Sequence, residues 1–304
     1  AWRNRTLDVF LLLGYLLAVL AVFVFRRSST RSVKWLLRIH VALMAVGFVL
    51  IGLYMHAQPS VTQVLTLVGA LLGSLSWQLF LSAPLIFVLW IFIAMVSLIW
   101  GRGVFCGWVC PYGSMTELLN KISVKLKIPQ LELPRKLTYL RYFILVVVVA
   151  VFIWDANKGE LMAEIEPFKS TFLVLPWERS WGFFAWWLLL FASASFMWRP
   201  FCRFLCPLGA ALAIFGSFRF SGPRRRQFCS SCTICTKSCE PEAIREDGTI
   251  DARECLSCME CEAVYRDDDK CPPLVVIKKI DKNPSPSERD LVKLKKMKEA
   301  RKDV

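Results

Sequence analysis

At 304 residues, 56% hydrophobic and 13% aromatic, the chain is too apolar for one soluble domain and reads as a membrane protein with a soluble end. Its formal net charge of +14 gathers in loops beside apolar runs, so it reports topology and argues against nucleic-acid binding. No G-x-G-x-x-G, P-loop or H-E-x-x-H pattern occurs, so no motif supports a nucleotide-dependent or zinc-peptidase activity.

Five apolar runs predict membrane spans: Leu7 to Phe25, Leu36 to Met55, Leu85 to Trp100, Leu140 to Trp154 and Gly182 to Trp198. The shorter ones fall near or below the ~20 residues that cross the hydrocarbon core, with flanking aromatics as interfacial anchors. Val61 to Ser82 is broken by Thr62, Gln63, Thr66, Ser74, Ser76 and Gln78 and followed by Pro84, which predicts an amphipathic helix on the membrane surface. Cytoplasmic loops carry the excess of Lys and Arg. Arg26, Arg27, Arg31, Lys34 and Arg38 follow the first run, and Arg102, Lys121, Lys125, Lys127, Arg135 and Lys136 follow the third, whereas Ala57 to Ala83 has none. The first residue is therefore expected outside, and everything from Arg199 onward in the cytoplasm. Ala1 leads almost directly into a span with no signal pattern, so an extracytoplasmic domain is expected upstream.

The first and second halves repeat one turn. Trp100-Gly101-Arg102-Gly103-Val104-Phe105-Cys106-Gly107-Trp108-Val109-Cys110-Pro111 returns as Trp198-Arg199-Pro200-Phe201-Cys202-Arg203-Phe204-Leu205-Cys206-Pro207, each after a span that ends inside. Proline is favoured at the first position of a helix and disfavours helix in the residue before it, so helices are expected to start at Pro111 and Pro207 with Cys110 and Cys206 at their mouths. Helix dipoles there would favour thiolates. Cys106, Cys110, Cys202 and Cys206 are thus candidates for a four-thiolate redox or metal site, or for two reactive pairs; buried thiols that simply pack small turns are the bland reading. After Pro111, Glu117, Asn120, Lys121, Lys125 and Lys127 interleave with Met115, Leu118, Leu119, Ile122 and Leu126, predicting an amphipathic cytoplasmic surface helix. Leu208 to Phe218 is shorter and more apolar, and it leads to the basic run Arg224-Arg225-Arg226, a topology anchor.

Only His40 and His56 are available as imidazole ligands. Along one helix they stand about 24 Å apart at ~1.5 Å rise, too far to share a haem. Each could take a proton at a quinol site or be a satisfied interfacial histidine. The outer stretch Asp155 to Trp181, with Glu160, Glu164, Glu166 and Glu178 against Lys158, Lys169 and Arg179, is expected to be a solvated loop.

Eight of the twelve cysteines fall between positions 229 and 271. They form C-x2-C-x2-C-x3-C (Cys229, Cys232, Cys235, Cys239) and C-x2-C-x2-C-x9-C-P (Cys255, Cys258, Cys261, Cys271). Zinc favours paired C-x2-C knuckles, and disulfides suit small secreted domains. Two triplet arms that each borrow a fourth cysteine from the other are how a two-cluster ferredoxin holds a pair of [4Fe-4S] cubanes. Cys229, Cys232, Cys235 and Cys271 are then expected on one cluster, and Cys255, Cys258, Cys261 and Cys239 on the second. Few large apolar residues accompany them, so metal is expected to contribute folding energy. The insertion Glu262 to Lys270 is expected as a surface loop facing a partner. The predicted organisation is an all-α polytopic membrane domain of about five helices (1–220), a small α+β two-cluster ferredoxin-like domain (221–280) and a basic polar tail (281–304).

With these motifs in place, the chain resembles the NosR/NapH group of membrane-bound ferredoxin-type proteins, the NosR branch, associated with nitrous-oxide reductase, being the nearer. The most specific likeness lies in Arg199 to Ala211, Glu166 to Phe172 and Tyr265 to Leu274. The resemblance implies a bacterial inner-membrane protein with two cytoplasmic [4Fe-4S] clusters. It implies electron supply, from quinol or a cytoplasmic donor, to periplasmic nitrous-oxide reductase, with maturation or upkeep of that enzyme's copper centres. It also implies FMN on a periplasmic domain before the first span; the S-G-A-[ST]-like attachment motif is absent here, so no FMN is expected on these residues. The expected role is an electron-transfer component rather than a stand-alone enzyme. Alternatives are a NapH-like quinol dehydrogenase subunit, a copper-handling protein using the four turn cysteines, and a redox-sensing membrane protein.

Overall fold

The computed structural model describes residues 5–25, 33–71, 83–131, 133–174, 176–223, 234–245 and 247–282. Cys229, Cys232, the Arg224-Arg225-Arg226 run and the tail from 283 lie outside the described residues. The fold is mostly helical: α1 (Thr6–Phe25), α2 (Val33–Gly47, prolonged by a π-helical stretch Phe48–Tyr54), α3 (Val61–Leu71), α4 (Pro84–Ile99), α5 (Pro111–Lys125), α6 (Leu140–Trp154), α7 (Trp181–Phe196), α8 (Pro200–Phe204), α9 (Pro207–Gly216), α10 (Glu260–Arg266) and α11 (Pro272–Lys282). Among the described residues, three helices are long and apolar enough to cross a membrane: Thr6–Phe25, Trp35–Tyr54 and Arg135–Trp154. The runs expected as third and fifth spans form the 16-residue helices α4 and α7. At ~1.5 Å rise these reach about 24 Å, short of a ~30 Å hydrocarbon core.

Proline sets the two repeated turns as the sequence requires. Cys110 and Cys206 are the extended residues before α5 and α9, and each helix opens on its proline. The turns do not stay on a surface. Along α2 and its π-helical extension, the first turn meets His40 through Gly107, Gly47 through Trp108 and Gly52 through Pro111. It climbs beside that span, and α5 then runs back until Lys121 pairs with Glu260 of the cysteine-rich end. The second turn does likewise: Leu208, at the start of α9, faces Glu166, while at its end Gly216 packs on Gly101 and Phe220 N–H donates to Leu98 O at 3.1 Å. Two re-entrant hairpins therefore enter the helix bundle from the ferredoxin side.

This corrects the expected amphipathic surface helix after Pro111. Helix α5 packs between α2 and α7 with its polar side inward. Glu117 and Asn120 are buried, while Ile122, Val124 and Leu126 are exposed. The periodicity is amphipathic, but the polar stripe is the one that has partners. Arg199 bonds Glu117 at 2.7–2.8 Å, and Asn120 Nδ2 donates to Gln130 Oε1 at 2.8 Å and Ala194 O at 3.2 Å. Outward apolar residues beside spanning helices suit a lipid environment.

The stretch 155–181 is likewise folded rather than a solvated loop. Glu164 is gripped by Lys169 and Arg179, each at 2.6 Å, and Phe168 and Phe172 are buried. Glu166 is buried without a cationic partner; it accepts from Val61 N–H at 2.9 Å at the start of α3 and lies close to the start of α9 at Leu208. Helix α3 covers Val61–Leu71, with Val61 and Leu65 packed against Leu145, Val148, Ala210 and Ala211. Its continuation toward Ser82 falls outside the described residues.

The cysteine-rich end is small and loop-rich. Its β content among the described residues is one antiparallel bridge, Ile244 to Ile250, closed by a turn with Gly248 at φ +82°. Its core is Cys239, Ala243, Ile244 and Cys255, with Cys235, Ile250 and Cys261 against it. The segment expected as a surface loop from Glu262 is helical through Arg266, and Ala263 and Tyr265 are buried; Asp268, Asp269 and Lys270 keep the expected exposure.

This end docks on the first hairpin through close backbone contact. A Cβ on Gly103 would fall 2.6 Å from Leu256 C, and one on Gly107 would fall 2.2 Å from Leu256 O. Trp108 Nε1 donates to Ser257 O at 3.0 Å beside them. Ion pairs ring the contact with one polarity, cations on the helical part and acids on the cysteine-rich part. They are Arg102–Glu254 (3.6 Å), Arg141–Glu254 (2.5 Å), Arg203–Glu242 (2.5 Å), Lys121–Glu260 (3.6 Å) and Arg135–Asp251 (3.5 Å).

Two substitutions test this architecture. Glu117→Gln leaves the Arg199 guanidinium buried beside a neutral group and should cost about 3–5 kcal/mol, read as a lower unfolding temperature of the detergent-extracted protein. Wild-type stability would contradict the buried pair. Gly107→Ala should loosen docking by about 1–3 kcal/mol and speed tryptic cleavage within 234–282. Gly14→Ala, where a Cβ meets nothing within 4 Å, should not, and equal cleavage of the two variants would contradict the docking contact.

Candidate metal centres

Cysteine thiolates gather in two places. In the ferredoxin-like end, Cys239, Cys255, Cys258 and Cys261 line one cavity together with Leu256 and Met259. Three of these come from the second arm and one from the first, as the spacing predicts for a cubane. Ser257 and Met259 adopt positive φ (49° and 65°), so the chain between Cys255 and Cys261 coils around the void instead of running past it. Such alternations turn backbone N–H groups toward one point, a geometry suited to an anionic cluster. Ala243 N–H donates to Cys239 Sγ at 3.3 Å. Burial of Cys258 among these thiols pushes its own thiol well above the usual range, a cost that ligation to iron would remove. Four thiols around one void, with Glu262 the one carboxylate in its lining, fit a [4Fe-4S] cubane.

Of the other predicted cluster ligands, Cys235 lies beside this site, its Sγ 3.8 Å from Cys261 O, and Cys271 is buried at the start of α11. Cys229 and Cys232 fall outside the described residues.

The second place is inside the helical bundle. Cys106, Cys110, Cys202 and Cys206, two from each hairpin, face one cavity closed by Phe105 and Phe168. Gly209 N–H donates to Cys206 Sγ at 3.1 Å across the first turn of α9, and Gln58 Nε2 approaches Cys110 Sγ at 3.5 Å. Three rings pack edge-on or tilted beside the cavity: Tyr112 to Phe168 (5.3 Å), Tyr112 to Phe201 (5.6 Å) and Phe168 to Phe201 (5.7 Å). The π-helical stretch Phe105–Val109 contributes Phe105 and Cys106 to the lining, and such stretches recur at functional sites.

Sequence reasoning singled out the four turn cysteines but not the residues that enclose them. Gln58, Glu166 and Phe168 come from segments expected on the opposite face of the membrane, and no periodicity marks them. Gly103 and Gly107 were visible signals of close backbone approach, unused without a partner to approach. His40 and His56 both have structural partners: His40 stacks on Trp108 at 4.2 Å with Nε2 3.1 Å from Gly107 O, and His56 Nδ1 lies 2.5 Å from Phe172 O.

Comparison with known proteins converges on one family. A family model named NosR matches residues 227–282, and one described as a 4Fe-4S binding domain matches 82–129 and 180–226. The chain is 41% identical over 280 residues to the regulatory protein NosR of Pseudomonas aeruginosa, covering 90% of this chain and 39% of that protein. A second NosR sequence from P. aeruginosa is 50% identical over 76 residues, 24% of this chain and 76% of that one. Protein NirI of Paracoccus denitrificans is 36% identical over 267 residues, 85% of this chain and 39% of that protein. The chain thus spans about two fifths of the length of the longer curated relatives it matches. No solved structure matches it. The chain belongs to the NosR family of ferredoxin-type iron–sulfur membrane proteins.

Proposed function

We propose that this chain is the membrane and ferredoxin portion of an iron–sulfur electron-transfer protein that supports nitrous-oxide reductase in denitrification, by supplying electrons and by upkeep of that enzyme's copper centres. The observation that carries the iron–sulfur reading is the meeting of Cys255, Cys258 and Cys261 with Cys239 around one cavity, three thiolates from one arm and one from the other. In this reading Cys229, Cys232, Cys235 and Cys271 hold a second cubane. Each cluster exchanges one electron at a time, and the chain's own residues fix the clusters against the bundle through the ion pairs from Arg102, Arg141, Arg203, Lys121 and Arg135.

The helices α1, α2, α4, α6 and α7 are the five spans of this reading, with α4 and α7 completed by the re-entrant hairpins packed at their ends. The ferredoxin-like end sits on the cytoplasmic side, where the Lys and Arg of the loops fall. Asp8 and Tyr54, hydrogen-bonded at 3.2 Å, then mark the periplasmic ends of α1 and α2. Quinol or a cytoplasmic donor would supply the electrons, and FMN, carried outside these residues, would be their acceptor. The relation to NosR over most of this chain favours nitrous-oxide respiration over a nitrate-reductase role.

Iron and acid-labile sulfide analysis with EPR of the dithionite-reduced protein tests this. Cys258→Ser should lose about four irons and one reduced-cluster signal while the polypeptide stays in the membrane. Full iron retention would contradict the ligand set. In a denitrifier lacking its own relative, the complete protein should restore nitrous-oxide reduction, and the same variant should not.

A further inference from the structure

We infer that Cys106, Cys110, Cys202 and Cys206 hold a third iron–sulfur cluster, a [4Fe-4S] cubane inside the helical bundle that exchanges electrons with the cluster of Cys239, Cys255, Cys258 and Cys261. The inference rests on the iron–sulfur reading above and adds a site to it. Each segment that resembles a 4Fe-4S binding domain contains only two of these cysteines, one pair in 82–129 and one in 180–226. A cubane needs four thiolates, so neither segment suffices alone. The two hairpins supply them from opposite sides of one cavity.

Three observations favour a cluster over packed thiols or a single ion. First, the cavity matches in size the one lined by the four ferredoxin cysteines. Second, the donors are four cysteine sulfurs with no imidazole or carboxylate in the cavity lining, the ligand set of a cubane. Third, a buried guanidinium faces the cavity: Arg102 is 3% exposed, its 3.6 Å ion pair is to a Glu254 shared with Arg141, and its Nε has no hydrogen-bond partner among the described residues. A buried cation is costly without an anion close to it. A cubane on four thiolates is dianionic when oxidised and supplies one.

Position gives the site its role. Leu256, between the ferredoxin ligands Cys255 and Cys258, lines both cavities, so the two share a wall residue. The opposite wall is formed by Phe168, with Gln58 and Glu166 near Cys110 and Cys206, all from segments that the charge pattern puts on the outer side. The step is a one-electron exchange in which one cluster is oxidised as the other is reduced, with no net bond or proton change. This carries electrons into the bundle without haem.

Iron, copper and sulfide content per chain and EPR of the reduced membrane-extracted protein test the assignment, on the wild type, Cys106→Ser and Cys202→Ser. Each variant should lose about four irons and one EPR signal relative to wild type and keep the signals of the ferredoxin clusters, which also report that the variant is folded. Cys258→Ser should lose a different signal and keep this one. Unchanged iron in both turn variants, a loss other than about four, or copper released in place of iron overturns the third cluster and leaves the two-cluster reading standing. Loss of iron in neither the turn variants nor Cys258→Ser overturns both.

Discussion

Arg199 and Glu117 join the two halves of the repeat, and the arrangement of all four turn cysteines depends on that contact. Arg199 opens the second turn in a left-handed conformation, φ 44°, unusual for a side chain this large. From there its guanidinium bonds Glu117 on α5 and the carbonyl oxygens of Cys106 and Gly107 in the first turn. One fully buried side chain thus fixes where hairpin two meets hairpin one. A buried pair is poor evidence for stability in itself, since desolvation offsets much of its Coulomb attraction. Here it specifies geometry: with the Arg102 to Gly209 O bond and the Gly101–Gly216 contact, it sets the Cys106 half against the Cys202 half.

A second level of organisation is electrostatic. The helical part presents Arg102, Arg135, Arg141, Lys121 and Arg203, and the ferredoxin-like part answers with Glu242, Asp251, Glu254 and Glu260. The same Lys and Arg residues that set topology therefore dock the cysteine-rich end. Glycine makes the docking close: Gly103 and Gly107 let the Leu256 backbone lie where any Cβ would stand. Ferredoxin and bundle are thereby brought together through backbone contact at Leu256, the residue that borders both sets of thiolates.

The cysteine spacing, the apolar runs and the proline-set helix starts were legible in the sequence because each is a local rule: ligand count, length and the φ of proline. The burial of α5 was not, since Glu117 and Asn120 read as solvated until Arg199, Ala194 and Gln130 are known to meet them. The stretch around Glu166 and Phe168 misled for the same reason. Its charges look like a loop, but Glu166 caps a helix, α3, that lies far away in sequence. Depth was the other hidden quantity. Charge counting places a turn on one side of a membrane, yet it does not register a segment that enters the bundle and returns to the side it left.

The central claim is that the thiolates of the bundle and those of the ferredoxin-like end form one electron path. Spin coupling tests it most directly, by EPR of the fully reduced protein at low temperature, wild type against Cys202→Ser. The account predicts a wild-type spectrum broadened and fast-relaxing through dipolar interaction between neighbouring clusters, with the signal of the Cys255–Cys261 arm sharpening and relaxing more slowly in the variant. A spectrum and relaxation rate identical in the two proteins would contradict it.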